Sequence, residues 1–166
     1  AKRPQRMPTV LGRSEVRALL GKLEGTPALV ARILYGSGLR LGEGLSLRVK
    51  DVDLEHRQLL IRNGKGAKDR VTVLADGAVE ELRGQIAHAL ELHRAELANG
   101  RGEAWIWPAL ERKYPAIARS PGWQFVFPAS GLWLDPDSGR LLQLHVHESV
   151  IQKAVRASAI AAGIAK

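Results

Sequence analysis

The hydrophobic spacing of this chain changes twice, and the change limits the folds that it can adopt. Up to residue 36, and again after residue 76, apolar residues recur every three or four positions, which is typical of amphipathic helices. Between residues 51 and 74 they alternate on both sides of NGKGAKD, which is typical of short strands joined by a hairpin. The pattern predicts an α+β fold, mainly α-helical, with a small antiparallel β-hairpin or three-stranded sheet.

Capping and stop residues give the predicted bounds of the helices. Ser14 is a plausible N-cap of the first helix, which is expected to end at Gly25. The other predicted helices lie at 26–38, 76–97 and 145–163, with a short helical turn near 41–49. The inward face of the last helix is expected to carry Val150, Ile151, Ala154, Val155 and Ile160.

Residues 104–136 differ in composition from the rest of the chain. Three of the four tryptophans lie in AWIWPALERKYPAIARSPGWQFVFP, and the fourth follows at Trp133. Several prolines interrupt the same stretch, so regular elements there are expected to be short. The composition predicts an irregular inserted subregion with one short helix near 109–114.

The positive charge of the chain is confined to its first half. Residues 1–75 hold 15 Lys and Arg against 7 Asp and Glu, whereas residues 76–166 hold 10 of each, so the first half carries the whole net charge of +8. Such asymmetry is typical of proteins that bind a polyanion, most often nucleic acid. Charge alone leaves an ordinary solvated basic surface as the alternative. Residues 1–10 form a basic, proline-containing segment that resembles a linker.

Several classes of protein and site are disfavoured. The chain has no cysteine and no apolar run of 18 residues, so neither a disulfide scaffold nor a membrane span is expected. His145 and His147 form an H-x-H pair, but no cysteine, aspartate or third histidine lies nearby, so no metal site is predicted. His93 lies on the apolar stripe of its helix and is expected in the core. No cofactor is predicted.

The segment YGSGLRLGEGLSLRVKD places four glycines around Arg40. Its glycine spacing approaches a dinucleotide-binding motif, but a helical pattern precedes it where that motif requires a strand. The glycines therefore indicate a helix stop and a sharp turn that hold Arg40 at a rigid corner, where its planar donors suit phosphate oxygens. An ordinary surface ion pair with Glu43 is the alternative that this segment alone leaves open.

Taken together, LYGSGLRLGEGLSLRVKDVD and IRNGKGAKDRVTVL resemble the tyrosine recombinase (phage integrase) family. A helix ending in Gly-Leu-Arg, a glutamate three residues later and a following G-K-G hairpin match the first conserved box and the hairpin lysine of that family. The resemblance runs over nearly all of the chain. ALERKYPAIARSPGWQFVFPAS also resembles the insertion of integron integrases, and HESVIQKAV continues that match.

The resemblance implies a role for each matched position. Arg40 would hold the non-bridging oxygens of the scissile phosphate, and Lys65 would protonate the departing 5′ oxygen. Attack on a phosphodiester builds negative charge that a fixed guanidinium stabilises, by about 3 kcal/mol for a good donor. Glu43 would orient Arg40 or cap the short helix. The basic residues expected to contact DNA are Lys2, Arg3, Arg6, Lys68 and Arg70.

In integron integrases the insertion reads bases that bulge out of a folded single-stranded site. Trp123, Pro136 and His145 fall where the resemblance implies such contacts, and a base stacked on an aromatic face gains about 1–3 kcal/mol. Burial of Trp123 in a small satellite core is the alternative. The implied partners are therefore DNA, including hairpin sites with extrahelical bases, and further copies of the chain.

The sequence also departs from the family pattern. The second box, H-x-x-R, and the nucleophilic tyrosine have no counterpart, since Tyr35 and Tyr114 lie at other positions. The chain is therefore expected to be a C-terminally incomplete catalytic domain, residues 11–166, that contacts DNA but is inactive alone. A non-enzymatic nucleic-acid-binding module and a protein-interaction fragment are the alternatives. A bacterial, cytoplasmic, nucleoid-associated location follows from the resemblance.

Overall fold

The computed structural model describes residues 10–62 and 69–164. Within these ranges the helices and strands follow the predicted order, and the α+β prediction is confirmed. The α-helices are α1 (Arg13–Leu20), α2 (Gly25–Ser37), α3 (Leu41–Leu45), α4 (Val79–Ala98), α5 (Pro108–Lys113) and α6 (Glu148–Ala161). The strands are β1 (Val52–Asp53), β2 (Gln58–Ile61), β3 (Arg70–Val73), β4 (Glu103–Ala104), β5 (Trp133–Leu134) and β6 (Leu141–Gln143).

The first sheet is the antiparallel sheet that the alternating pattern predicts. Its strand order is β1-β2-β3, and Ile61 pairs with Arg70 where β2 and β3 flank the hairpin loop. Leu59 and Ile61 of β2 point into the core, whereas Val71 and Val73 of β3 are exposed. Burial of alternate residues on the central strand fixes the register, because a slip of one residue would move Leu59 and Ile61 to the other face.

A second, smaller sheet was not predicted. Its order is β4-β6-β5, with β4 parallel to β6 and β5 antiparallel to it. Arg140, just before β6, bonds the carboxylates of Glu103 on β4 and Glu111 on α5 at 3.0 and 2.7 Å. These ion pairs join the sheet to α5, the short helix that was expected near 109–114. The regular elements within residues 104–136 are short, as expected, and the unexpected feature is the small sheet that pairs two of them with β6.

One main hydrophobic core brings α2, α3, the first sheet, α4 and α6 together. Its most deeply buried side chains include Ile33, Leu45, Leu59, Leu82 and Phe127. Truncation of a leucine or isoleucine in such a core costs about 2–5 kcal/mol. Phe127 belongs to residues 104–136, the tryptophan-rich region, so this region contributes to the same core as the first sheet.

Helices α1, α2 and α6 form a second apolar cluster around Leu19, Leu23 and Ala28. The first helix begins two residues earlier than expected, with Gly12 rather than Ser14 as its N-cap, and Glu15 accepts the Gly12 N–H at 2.7 Å. It ends at Leu20, before the predicted Gly25. On α6, Ile151 is buried as expected, but Val150 and Ile160 are exposed, so their predicted inward orientation is wrong.

Candidate nucleic-acid interface

Arg40 lies at a corner between two helices. Helix α2 ends at Gly38, which has φ +64° and adopts the left-handed conformation that favours glycine. The Leu39 N–H bonds the Leu34 carbonyl at 3.0 Å and closes the end of the helix. Arg40 then takes an extended conformation as the N-cap of α3. The glycine thus serves as a helix stop, as the sequence indicated, and Arg40 begins the next helix.

Glu43 fixes this corner from the first turn of α3. Its Oε2 accepts the backbone N–H of Arg40 at 2.8 Å, and its Oε1 accepts Nη1 of Arg40 at 2.9 Å. The Arg40 side chain is 61% exposed, whereas that of Glu43 is 11% exposed. The ion pair and the helix cap that the sequence left as alternatives are therefore both formed, and they leave most of the guanidinium facing solvent.

Arg70, the first residue of β3, binds the same carboxylate. Its Nη1 and Nη2 donate to Oε1 and Oε2 of Glu43 at 2.9 and 2.8 Å, which is the bidentate geometry of a strong arginine–carboxylate pair. These bonds from Arg70, and then those from Arg40, lower the pKa of Glu43 to about 2, and Glu43 in turn raises the pKa of Arg70. Glu43 is therefore ionised at every physiological pH.

The structure brings Arg40, Glu43 and Arg70 together but leaves other candidate residues untested. Lys65 and Lys68, in the hairpin loop, lie outside the described residues, as do Lys2, Arg3 and Arg6 of the N-terminal segment. Their assignments remain predictions.

A cavity of about 240 Å³ opens beside the corner. Its walls include three charged residues from the first half of the chain, Glu43, Arg48 and Arg62. Two tryptophans from the second half, Trp107 and Trp123, also line it. Sites for whole drug-sized ligands span about 300–1,000 Å³, so this space suits one flat group better than a complete dinucleotide. The poor match to a dinucleotide-binding motif agrees with this size.

Sequence reasoning missed Arg48, which joins the corner segment to the tryptophan-rich region. Arg48 is only 3% exposed, and its Nη1 and Nη2 donate to the carbonyls of Trp123 and Trp105 at 2.5 and 2.8 Å. Its guanidinium carbon lies 4.1 Å from the centroid of the Phe125 ring. Burial lowers its pKa to about 10, so it stays charged at neutral pH. The one available signal was a charged residue directly between the apolar residues Leu47 and Val49.

Trp123 is half-buried, and a cation already covers its ring. The ammonium of Lys50 lies 3.4 Å from the ring centroid, and the guanidinium of Arg48 lies 5.6 Å from it. Burial is the main cause that lowers the pKa of Lys50. The sequence left two alternatives for Trp123, a place in a small satellite core and a surface for base stacking. Trp123 packs against Ala104, Ile106 and Ala118, as in the first, and stays partly accessible, as the second requires.

His145 and Pro136 occupy different surroundings. His145 is half-buried, with its ring edge-to-face on Phe125 at 5.3 Å and its Nδ1 2.9 Å from the Val146 carbonyl. It thus shares Phe125 with Arg48. Pro136 is exposed in the turn between β5 and β6, where Asp135 accepts hydrogen bonds from Ser138 and the Asp137 N–H. The structure links His145 to the aromatic cluster and leaves Pro136 on a surface turn.

Two further observations concern only the described part of the chain. No group of three or more histidines, acidic residues or cysteines there is arranged to hold a metal ion. Among the same residues, no helix is both long enough and apolar enough to cross a membrane. His93, expected in the core, is buried, and its Nε2 lies 3.0 Å from the Arg119 carbonyl.

The chain is similar to curated proteins named "Integrase/recombinase". It is 40% identical to such a protein from Escherichia coli over 162 residues, and equally to one from Pseudomonas aeruginosa. Each match covers 98% of this chain and 48% of the relative, so the chain spans about half the length of these relatives.

Comparison of folds gives a consistent result. The crystal structure of the XerA recombinase matches the whole chain with a TM-score of 0.58 and 23% sequence identity, over 46% of that structure's own chain. At this identity the match supports the fold alone. The model of the phage integrase family matches residues 9–165, which is nearly the entire chain. The chain therefore belongs to the phage integrase family, the tyrosine recombinases.

Proposed function

We propose that this chain supplies the part of a site-specific DNA recombinase that holds the scissile phosphate, with Arg40 as the phosphate-binding residue. The observation that carries the proposal is the corner itself, where a mostly exposed guanidinium is held in place by a carboxylate whose side chain is only 11% exposed. A fixed cation of this kind stabilises the charge that develops on phosphate oxygens without having to reorganise during the reaction.

Lys65 is proposed to protonate the leaving 5′ oxygen, as the family resemblance implies. The described part of the sheet supports this role, because β3, the strand that follows Lys65 in the chain, begins with Arg70, which binds the same carboxylate as Arg40. Lys2, Arg3, Arg6 and Lys68 are proposed to neutralise neighbouring phosphates. Each such contact adds about one unit to the slope of log affinity against log salt.

Residues 104–136 are proposed to form an insertion of the integron-integrase type that reads extrahelical bases through Trp123, Pro136 and His145. The ammonium of Lys50 lies 3.4 Å from the centroid of the Trp123 ring, so a base that stacks on the same face would have to displace Lys50. The cavity bordered by Trp107 and Trp123 suits a single flat group, which supports this assignment.

Residues 11–166 are proposed to be part of the catalytic domain, and residues 1–10 a linker to it. The nucleophilic tyrosine and the H-x-x-R box have no counterpart among the 166 residues. We therefore expect this stretch by itself to bind DNA without forming a phosphotyrosyl intermediate. Cleavage is to be measured with the same substitutions in a full-length relative.

Fluorescence anisotropy tests the proposal. A duplex and a folded single-stranded hairpin with bulged bases are titrated over a salt series with the parent chain, Arg40→Ala and Trp123→Ala. We expect Arg40→Ala to weaken binding to both DNAs and lower the salt slope by about one. Trp123→Ala should reduce only the preference for the hairpin, by roughly tenfold for a lost stacking energy of about 1–3 kcal/mol.

Arg32→Gln is the matched control for Arg40, because Arg32 is also a partly exposed arginine in an ion pair, with Glu81. This variant should bind as the parent does. An Arg40→Ala chain that binds duplex as tightly as the control would contradict the phosphate-binding role. Assembly that depends on protein concentration, without salt-dependent DNA binding, would instead support the protein-interaction alternative, which the exposed Val150 and Ile160 of α6 favour.

A further inference from the structure

Two arginines at the base of the first-sheet hairpin are each bound to a carboxylate of the corner segment. On the β2 side, Nε of Arg62 donates to Oδ1 of Asp51 at 2.8 Å. On the β3 side, Arg70 donates both Nη groups to Glu43. Of these two ion pairs, the one between Arg70 and Glu43 is linked to Arg40, because Glu43 also accepts two hydrogen bonds from Arg40.

The carboxylate of Glu43 has no remaining acceptor position. Two carboxylate oxygens offer about four lone-pair sites, and Arg40 and Arg70 together fill four. Arg70 occupies the bidentate geometry and leaves Arg40 with one side-chain bond and one backbone bond. A guanidinium has five N–H donors, so Arg40 keeps most of its donors for another ligand.

The division of these bonds decides how much positive charge the corner presents. If Arg70 were absent, Glu43 would be able to form the bidentate pair with Arg40, which would neutralise Arg40 and turn it away from solvent. With Arg70 in place, two guanidinium groups share one carboxylate, and the cluster keeps a net positive charge. The side chain of Arg40 is 61% exposed and that of Arg70 is 37% exposed, so the charge is presented mainly through Arg40.

We propose that Arg70 is a positioning residue that acts through Glu43: it holds the carboxylate in the bidentate geometry and so fixes the direction of Arg40, and it makes no phosphate contact of its own. The proposal rests on the phosphate-binding role of Arg40. It separates Arg70 from the other basic residues expected to contact DNA, and it links the position of β3 to the position of the phosphate-binding group.

A double-mutant cycle distinguishes positioning from direct contact. Duplex binding is measured over a salt series for the parent chain, Arg40→Ala, Arg70→Gln and the double variant. We expect Arg70→Gln to weaken binding about three- to tenfold in the parent and to have no further effect in Arg40→Ala. The salt slope should fall by about one in Arg40→Ala and no further in the double variant. Additive losses and a slope lower by about two would overturn the proposal.

Arg57→Gln is the matched control, since it removes another ion-paired arginine, which lies in the turn between β1 and β2 and binds Asp76 rather than Glu43. Arg70→Lys keeps the charge but loses the bidentate fork, so it should behave like Arg70→Gln. If Arg70→Lys binds DNA like the parent, charge rather than geometry is what matters, and the positioning role is wrong.

A second readout requires no DNA. Carbon-13 NMR of the Glu43 carboxyl follows its titration, and we expect Arg70→Gln to raise the pKa of Glu43 above about 2 but not to its ordinary value of 4.5, because Arg40 keeps its bonds to the carboxylate. Arg57→Gln should leave the Glu43 titration unchanged. An unchanged titration in Arg70→Gln overturns the positioning role alone, whereas unchanged DNA binding in Arg40→Ala overturns the proposed function.

Discussion

Gly44 packs directly against Leu34, so that a Cβ atom built on Gly44 would lie 2.5 Å from Cδ2 of Leu34. Real Cβ atoms essentially never approach another atom so closely, and Leu34 itself packs against the main core. Because Gly44 is in α3 and Leu34 is in α2, this contact sets the distance between the two helices that flank Arg40. The second glycine of the segment LGEGL therefore lies at a close helix–helix contact rather than at a turn, and a side chain there would force Leu34 to shift.

Gly44→Ala is expected to destabilise the protein by about 1–3 kcal/mol, because the added methyl group must displace Leu34 from a filled core. Gly84→Ala is the control, since Gly84 lies in α4 with open space around its added Cβ. This control should stabilise the protein by about 0.5–1 kcal/mol, the usual gain from replacing glycine in a helix. Urea unfolding measures both, and equal effects in the two variants would contradict the packing argument.

Glu43→Gln is expected to destabilise the protein in a pH-dependent way, because the pKa of Glu43 is lowered from 4.5 to about 2 in the fold. A carboxyl with a lowered pKa binds fewer protons when folded, so its contribution is complete above pH 4.5 and is lost as the pH falls toward 2. The difference in unfolding free energy between parent and variant should be about 1–3 kcal/mol near neutral pH. Unfolding at several pH values measures it, and a difference that stays constant through this window would contradict the assignment.

Arg48→Met is expected to destabilise the protein by about 1–3 kcal/mol, because it leaves the partly buried carbonyls of Trp105 and Trp123 without their Arg48 donors. Arg48→Lys should not restore stability, since a single ammonium does not reproduce the two-pronged geometry. Arg140→Met is the control, because its partners form partly exposed ion pairs that contribute about 0–1 kcal/mol. Chemical unfolding and limited proteolysis within 104–136 measure the effect, and a stable, protease-resistant Arg48→Met chain would be the contrary result.

Ile151→Ala and Ile160→Ala should differ strongly although both residues lie on α6. Ile151 is 2% exposed and should lose about 2–5 kcal/mol, whereas Ile160 is 71% exposed and should change stability by less than about 0.5 kcal/mol. Thermal or urea unfolding of the two variants measures this difference. A large loss in Ile160→Ala would show that this end of α6 is covered in solution.

The periodic parts of the fold could be predicted from the sequence because each is specified locally. The alternation around β2 and β3 and the three-to-four spacing in α2 and α4 reflect burial of one face, which neighbouring residues reveal by themselves. The second sheet could not be predicted, because β4 and β5 have two residues each and β4 pairs in parallel with a strand 39 positions later. Strands this short have no detectable alternation.

The local backbone geometry around Arg40 could be predicted from the sequence, but the long-range hydrogen bonds that hold the candidate site together could not. A glycine stop before Arg40 and a glutamate at the third position of α3 are local signals, and both act as expected. The bidentate bond from Arg70 connects positions 27 apart, and the bonds of Arg48 connect positions 57 and 75 apart. Such contacts depend on how elements pack, so no short sequence pattern reports them.

The burial of Arg48 determines what would have to be moved in an engineered chimaera. Arg48 belongs to the corner segment, residues 35–51. The carbonyls that accept its hydrogen bonds and the aromatic rings that it contacts belong to residues 104–128. A recombinase that acquired residues 104–128 without this arginine would leave the carbonyls of Trp105 and Trp123 without their donors. A chain that acquired Arg48 without residues 104–128 would hold a guanidinium without those acceptors. A chimaera would therefore have to transfer Arg48 together with residues 104–128, although the two lie far apart in the sequence.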